Sequence, residues 1–232
     1  MSEYRVPLHI RLNRVVMKPA FQLIFHILGR VKISGKENVL YGKPYVVAFN
    51  HISIFDPPLV LSFWPEMAEA IGAADVFLKK GQGPILKMYG VIPVHRGEYD
   101  RSLFERVFAM LKSGRPMVMA PEGGRSHEKG MRRALPGIGY IIERAQVPVV
   151  PVGLVGTTDD FWKRARRGER PRLEIRIGKP IRFDVVSAKG AERRDARQHI
   201  ADTVMRHIAG LLPEEYHGYY DGQAIYQNSM SL

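Results

Sequence analysis

The sequence contains no cysteine. That absence excludes disulfides, a thiolate nucleophile and cysteine-ligated zinc together. Nor does any uninterrupted apolar run reach the roughly 18 residues that mark a membrane-spanning helix. The first residues carry Glu3 and Arg5, and no apolar core with a small-residue cleavage site follows them, so no signal peptide is expected. Internal repeats are absent, and so are zinc-finger spacing, a basic region followed by heptads and an aromatic ribonucleoprotein signature. Nucleic acid is therefore not an expected partner, because charge without a reading element is not enough. What is there is an ordinary globular balance, with 45% hydrophobic and 25% charged residues in a chain of 232. One large α/β domain fits that length better than two small ones. The net charge of +12 calls for an anionic partner, and with nucleic acid set aside an anionic membrane surface or a phosphorylated substrate leads.

Short apolar stretches alternate with helical patterns along most of the chain. VKISG (31–35), YVVAF (45–49), VIPV (91–94), PMVMA (116–120), VPVVPVGLVG (147–156) and LEIRIGKPIRF (173–183) read as strands. VFLKK (76–80) reads as a further exposed or sheet-end strand, and 59–74 as partly helical with a break at Trp64-Pro65. Helices are expected over 98–113 and 189–211. This alternation predicts an α/β fold, a single domain over 30–212 with a central mixed sheet flanked by helices. Ahead of it, 1–29 is expected to form an amphipathic membrane-associating helical segment, and 213–232 a loose C-terminal tail without periodicity. Within 10–28, Arg14, Lys18, Gln22 and His26 recur every four residues along a broad apolar surface. The pattern fits an interfacial helix, with Arg14 and Lys18 against headgroups and Phe21 and Phe25 in the interface. It equally fits a helix packed on the domain, and Pro19 is expected to bend or divide it. The run FWKRARRGERPR (161–172) sets Trp162 beside Lys163, Arg164, Arg166 and Arg167, an aromatic anchor next to a basic patch suited to an anionic membrane.

Three strand ends carry polar residues. The first has Asn50 and His51, with Asp56 just before a Pro-Pro pair that opens a helix. Residues five apart meet only if the chain turns between them, as a strand-to-helix junction does. His51 and Asp56 then suit a general base and its orienting carboxylate, although a turn histidine and a helix-capping aspartate explain the same letters. The second strand end delivers His95, Arg96 and Gly97; the third delivers Glu122, Gly123, Gly124, Arg125 and Ser126. In α/β sheets ligands sit beyond the carboxyl ends of strands, so all three can face one cleft. Arg96 and Arg125 offer forked donors for a phosphate, and Gly123 and Gly124 permit close backbone approach. No compact ligand motif joins His51, His95 and His127 with Asp56, so neither a metal nor a cofactor is expected.

These blocks resemble the glycerolipid acyltransferases, the family that includes bacterial 1-acylglycerol-3-phosphate acyltransferase. NHISIFD (50–56), GVIPVHRG (90–97), PEGGRS (121–126) and VPVVPVG (147–153) occur in the family's order and spacing. The resemblance implies that His51 and Asp56 are catalytic, with Asn50, Arg96, Glu122, Gly123, Arg125 and Ser126 around a phosphorylated acceptor. It places Pro148 and Pro151 near the acyl site. It implies acyl transfer from acyl-ACP or acyl-CoA to a lysophospholipid, by a peripheral or monotopic protein on the cytoplasmic side of the cell membrane. With no cysteine and no G-x-S-x-G elbow, the acceptor hydroxyl is expected to attack the thioester directly. Gly124 stands where the family usually has threonine, and His95 where aspartate is frequent. The residues alone also fit a non-catalytic phospholipid-binding protein, in which His51 and Asp56 go unexplained, and a metal-dependent hydrolase using the histidines.

Overall fold

A computed structural model describes residues 4–97 and 100–226. In chain order the elements are α1 (Leu8–Leu28), β1 (Arg30–Ser34), β2 (Val46–Phe49), α2 (Asp56–Phe63), β3 (Glu69–Ala73), α3 (Gln82–Tyr89) and β4 (Ile92–Val94). They continue with α4 (Arg101–Lys112), β5 (Met117–Met119), α5 (Gly137–Ala145), β6 (Val149–Val155), α6 (Phe161–Arg166), β7 (Arg172–Ile177) and α7 (Gly190–Ala209). The strands form one sheet in the order β1-β7-β6-β2-β5-β3-β4. Only β6 and β7 pair antiparallel, so the sheet is mixed, as the alternating sequence predicts.

At the centre, β2 and β6 are buried along both faces, which is why their sequences run apolar without alternating. Val46 and Ala48 enter the core beneath α4, α5 and α7, together with Met117, Val149 and Val204. Tyr45, Val47 and Phe49 enter the opposite core with Leu59, Trp64, Phe161 and Leu173. Because β2, β3, β4, β5 and β6 all run the same way, their carboxyl ends open on one edge of the sheet. That edge carries the polar residues singled out above.

Two expectations are corrected here. Residues 76–80 are not a strand; a short 3-10 helix covers Ala74–Leu78, and the strand lies earlier, at Glu69–Ala73. A buried carboxylate, Glu69, heads that strand and Gly72 sits within it, so no apolar run marks it in the sequence. The tail is not loose where it is described: Tyr216 and Tyr220 are buried in the main core, and the Tyr220 hydroxyl donates to Asp202 at 2.7 Å. Residues 227–232 lie outside the described residues.

The third correction concerns α1, which runs unbroken through Pro19. Its polar stripe faces the protein, not the outside. Arg14 is 2% exposed; its guanidinium pairs with Glu69 through two bonds of 2.8 and 2.7 Å and donates to the Tyr89 carbonyl at 2.8 Å. Lys18 donates to the Trp64 carbonyl at 2.6 Å, Gln22 to the Ser62 carbonyl at 2.8 Å and Asn13 to the Met88 carbonyl at 3.1 Å. Those carbonyls lie at the carboxyl ends of α2 and α3, where the last turn of a helix has no internal partner and carries partial negative charge. The stripe is a capping set for two other helices. Phe25 is buried and Phe21 half-buried against α2, so neither is offered to an interface. The outward face carries instead Leu8, Leu12, Val15, Val16, Leu23 and Ile27, with Val16 69% exposed. Among the described residues, no helix is long and apolar enough to cross a membrane.

Removing the Arg14 guanidinium leaves Glu69 fully buried, with Arg115 at 3.5 Å and the Tyr4 hydroxyl at 3.0 Å as its side-chain partners among the described residues. Arg14→Ala is expected to lower unfolding free energy by about 3–5 kcal/mol in urea titration. Lys18→Ala, which loses bonds at a half-buried site, is expected to cost about 1 kcal/mol. A loss below that for Arg14→Ala would mean the buried pair does not anchor α1.

Candidate active site

The site begins with the turn between β2 and α2. Two bonds to β6 fix its start: the Asn50 side chain accepts from the Leu154 amide at 2.7 Å and donates to the Leu154 carbonyl at 3.1 Å. Asn50 is fully buried and both ends of its amide are bonded to the sheet, so in this structure it pairs strands. The chain then turns, and Asp56 enters the first turn of α2 with its carboxylate pointing back. Asp56 Oδ2 accepts from the amides of Ile52 and Ser53, each at 2.7 Å, and meets His51 Nδ1 at 2.9 Å. Its other oxygen accepts a hydrogen bond from the Thr157 hydroxyl. One carboxylate thus closes the turn that precedes α2 and meets the histidine ring. With Nδ1 turned to the carboxylate, Nε2 of the half-buried His51 is the ring nitrogen left without this partner.

Thr157 is the residue that sequence reasoning missed. It follows β6 after Gly156, whose φ of +93° and close approach to the Arg172 carbonyl admit no side chain. Thr157 lies 101 positions from Asp56, so no local spacing announces it.

Glu122, at the carboxyl end of β5, is 1% exposed. Its Oε1 accepts from the His51 amide and its Oε2 from the Arg132 amide, both at 2.7 Å. The Ser126 amide donates in turn to the His51 carbonyl at 2.9 Å. Both backbone groups of His51 are therefore tied to the loop that follows β5. Burial pushes the Glu122 carboxyl up to about 7, against the pull of the two amides that favour its ionised form. Each oxygen accepts from a backbone amide, so Glu122 braces two loops against each other. Gly123 has a φ of +67°, and a side chain there would collide with Leu135, so glycine is required by the turn.

The remaining predicted residues divide between this edge and elsewhere. Arg96 is exposed after β4, and its guanidinium reaches over Gly124; Arg125 and Ser126 are half-buried in the same loop. Pro148, just before β6, and Pro151 within it are buried, and their carbonyls accept from the Val46 amide at 3.0 Å and the Gly178 amide at 2.8 Å. Trp162 stacks on Phe55 with ring centres 6.3 Å apart, which sets α6 beside the His-Asp turn. Lys163, Arg166 and Arg167 are exposed there, whereas Arg164 is held by Glu169 at 2.9 Å.

The arrangement presents a histidine paired with a carboxylate, and arginines on neighbouring loops, at the open end of a parallel strand set. The acyltransferase family profile matches residues 30–155, which contain the His-Asp turn, Arg96 and the Glu122 loop. The chain belongs to the acyltransferase family. This acyltransferase is 26% identical over 202 residues to 1-acyl-sn-glycerol-3-phosphate acyltransferase alpha of Bos taurus, covering 85% of this chain and 70% of that one. It is 24% identical over 165 residues to the 1-acyl-sn-glycerol-3-phosphate acyltransferase of Bacillus subtilis, covering 70% and 79%. Its fold is similar to the crystal structure of the acyltransferase PlsC from Thermotoga maritima, with a TM-score of 0.57, 21% identity and coverage of 84% and 78%.

The raised Glu122 value has a consequence for stability. The folded protein holds an extra proton between the ordinary carboxyl value and about 7, so this group's contribution is full below that window and is lost as pH rises through it. Glu122→Gln removes the titration and one of the two acceptors, which is expected to cost about 1–3 kcal/mol. The deficit of the variant relative to the parent is expected to be larger at about pH 5 than at about pH 8. Thermal melts at both pH values measure it; an equal or growing deficit at the higher pH would contradict the raised value.

Proposed function

We propose that this acyltransferase moves a fatty acyl group from an acyl thioester, acyl-ACP or acyl-CoA, to the free hydroxyl of a lysophospholipid. The favoured acceptor is 1-acylglycerol-3-phosphate, and the product is then phosphatidic acid. The observation that carries the reading is the 2.9 Å contact of His51 Nδ1 with an Asp56 carboxylate whose remaining partners are all donors. A neutral imidazole so held keeps its proton on Nδ1 and leaves Nε2 basic. In the reaction Nε2 takes the acceptor's hydroxyl proton as the oxygen attacks the thioester carbonyl, and the ionised carboxylate stabilises the imidazolium. The tetrahedral adduct collapses with loss of the thiolate, and the imidazolium returns the proton to its sulfur. Arg96 and Arg125 hold the acceptor's phosphate, which orients the hydroxyl, and orientation can contribute orders of magnitude in rate. The names of the relatives support the choice of acceptor, and the two arginines suit an anionic headgroup. A non-catalytic lipid-binding role accounts for the charge but gives the His51–Asp56 pair nothing to do.

Membrane docking belongs to the same proposal. The protein sits on the bilayer as a peripheral or monotopic protein, through the outward apolar face of α1 and the basic residues Lys163, Arg166 and Arg167 near Trp162. Arg14 and Phe25, buried against the domain, take no part.

His51→Ala and Asp56→Asn are each expected to lower kcat by about 10⁴ in an assay that follows product mass from a panel of lysolipids with both donor types. Parental turnover by a folded His51→Ala protein would refute the assigned base. Replacing Leu12, Val16 and Leu23 with serine is expected to weaken binding to neutral and anionic vesicles alike, with little salt dependence. Reversing Arg166 and Arg167 to glutamate is expected to weaken binding to anionic vesicles only, and mainly at low salt. Co-sedimentation across a salt series reads both; unchanged binding of the serine variant to neutral vesicles would remove α1 from the membrane side.

A further inference from the structure

We propose that Arg132 is a phosphate-binding residue of the acceptor site and, together with Arg96, selects a phosphomonoester headgroup over a phosphodiester one. The inference rests on the lysophospholipid reading above and deepens it. Its starting point is the space over Gly124. That residue is buried, and its φ lies outside the range that demands glycine. A methyl group placed there would lie 3.5 Å from Arg132 Nη1 and 3.5 Å from Arg96 Nη2. Two guanidinium nitrogens from different loops thus converge on one point next to Arg125.

Among the described residues, no carboxylate side chain lies within ion-pairing distance of either Arg96 or Arg132. Convergent like charges repel, and an anion between them relieves the repulsion. A phosphomonoester carries close to two negative charges at neutral pH and presents three acceptor oxygens, which a pair of forks can share. A phosphodiester under a choline carries one charge and brings a cation with it, so the same pair favours it less. Arg133, the next residue, points elsewhere: its guanidinium reaches Asp202 at 3.4 Å and lies 5.5 Å from the centre of the Tyr219 ring.

What makes Arg132 more than a surface arginine is how its backbone is held. Its amide donates to Glu122 Oε2 at 2.7 Å, and Oε1 of the same carboxylate holds the His51 amide at 2.7 Å. One buried group therefore fixes the distance between the base and the root of this arginine. Arg132 Nη1 also donates a long bond of 3.4 Å to the Arg125 carbonyl, which turns the side chain along the loop toward Gly124. A phosphate gripped there is held in register with His51 Nε2, as the reacting hydroxyl requires.

The test compares the parent with Arg132→Gln, Arg132→Lys and Arg133→Gln. The substitutions at 132 leave the main-chain amide that Glu122 accepts, and melting curves check that the fold is kept. Glycerol 3-phosphate and inorganic phosphate are titrated calorimetrically, and acyl transfer is measured with 1-acylglycerol-3-phosphate and with lysophosphatidylcholine. Arg132→Gln is expected to weaken glycerol 3-phosphate about tenfold or more. It should raise KM for the phosphomonoester acceptor by a similar factor, with kcat and the donor KM little changed, and so narrow the preference over lysophosphatidylcholine. Arg132→Lys should recover part of the loss, and Arg133→Gln should match the parent. Inorganic phosphate should bind more weakly than glycerol 3-phosphate; tighter binding of the free ion would overturn the headgroup assignment. Unchanged glycerol 3-phosphate binding in a folded Arg132→Gln protein, equal weakening in Arg133→Gln, or no binding by the parent would each overturn the role of Arg132. If the parent acylates no lysolipid but binds glycerol 3-phosphate through Arg132, the proposed reaction fails and this site stands. If it acylates the phosphomonoester with a KM indifferent to Arg132, the site fails and the reaction stands.

Discussion

Everything at the open edge of the sheet depends on two buried carboxylates whose oxygens are saturated with donors. A carboxylate taken out of water is costly unless hydrogen bonds replace the lost hydration. Asp56 meets this requirement with two amides, a threonine hydroxyl and the His51 ring. Glu122 meets it with the amides of His51 and Arg132. Because each acceptor is shared between segments far apart in sequence, satisfying the charge and assembling the site are the same event. No segment can move alone without leaving a buried oxygen or a buried N–H unpaired.

The parallel strands give this arrangement its direction. The turn after β2 carries His51, the loop after β4 carries Arg96, the loop after β5 carries Glu122 and Arg125, and the turn after β6 carries Thr157. Four strands of the same polarity bring these residues to one edge, and the apolar filling of both faces keeps the strands in register. The chemistry sits on short loops, but short loops pinned at both ends by a sheet behave as rigid supports.

Much of this is legible in the sequence, and the failures have physical reasons. The buried strands are visible as apolar runs, and the His51-to-Asp56 spacing is visible as a turn. Asn50 reads as a ligand because a polar residue at a strand end looks the same whether it faces a cleft or a neighbouring strand; its pairing with Leu154 appears only in the fold. Thr157 carries no local signal, since its partner is contributed by a different strand. The stripe of α1 is plain in the letters, but the side it faces is not. Periodicity defines two faces of a helix and says nothing about which is inside. Here the polar stripe lies on the inward side, among the buried Ile10, Met17 and Phe25, drawn in by the bare carbonyls of Ser62, Trp64, Met88 and Tyr89.

That inverted helix also sets an order of events during synthesis. The residues that Arg14 binds, Glu69 and Tyr89, are added 55 and 75 positions after it. At ordinary translation rates the later one follows by roughly 4–15 s. Until Trp64 and Glu69 are made, the side chains of Lys18 and Arg14 lack the partners they have in the fold, whereas the apolar face of α1 needs nothing from the rest of the chain. Under the proposed membrane docking, a nascent helix of this kind can settle on a lipid surface while the ribosome is still making the helices it will cap, and the domain then folds against an anchor already in place.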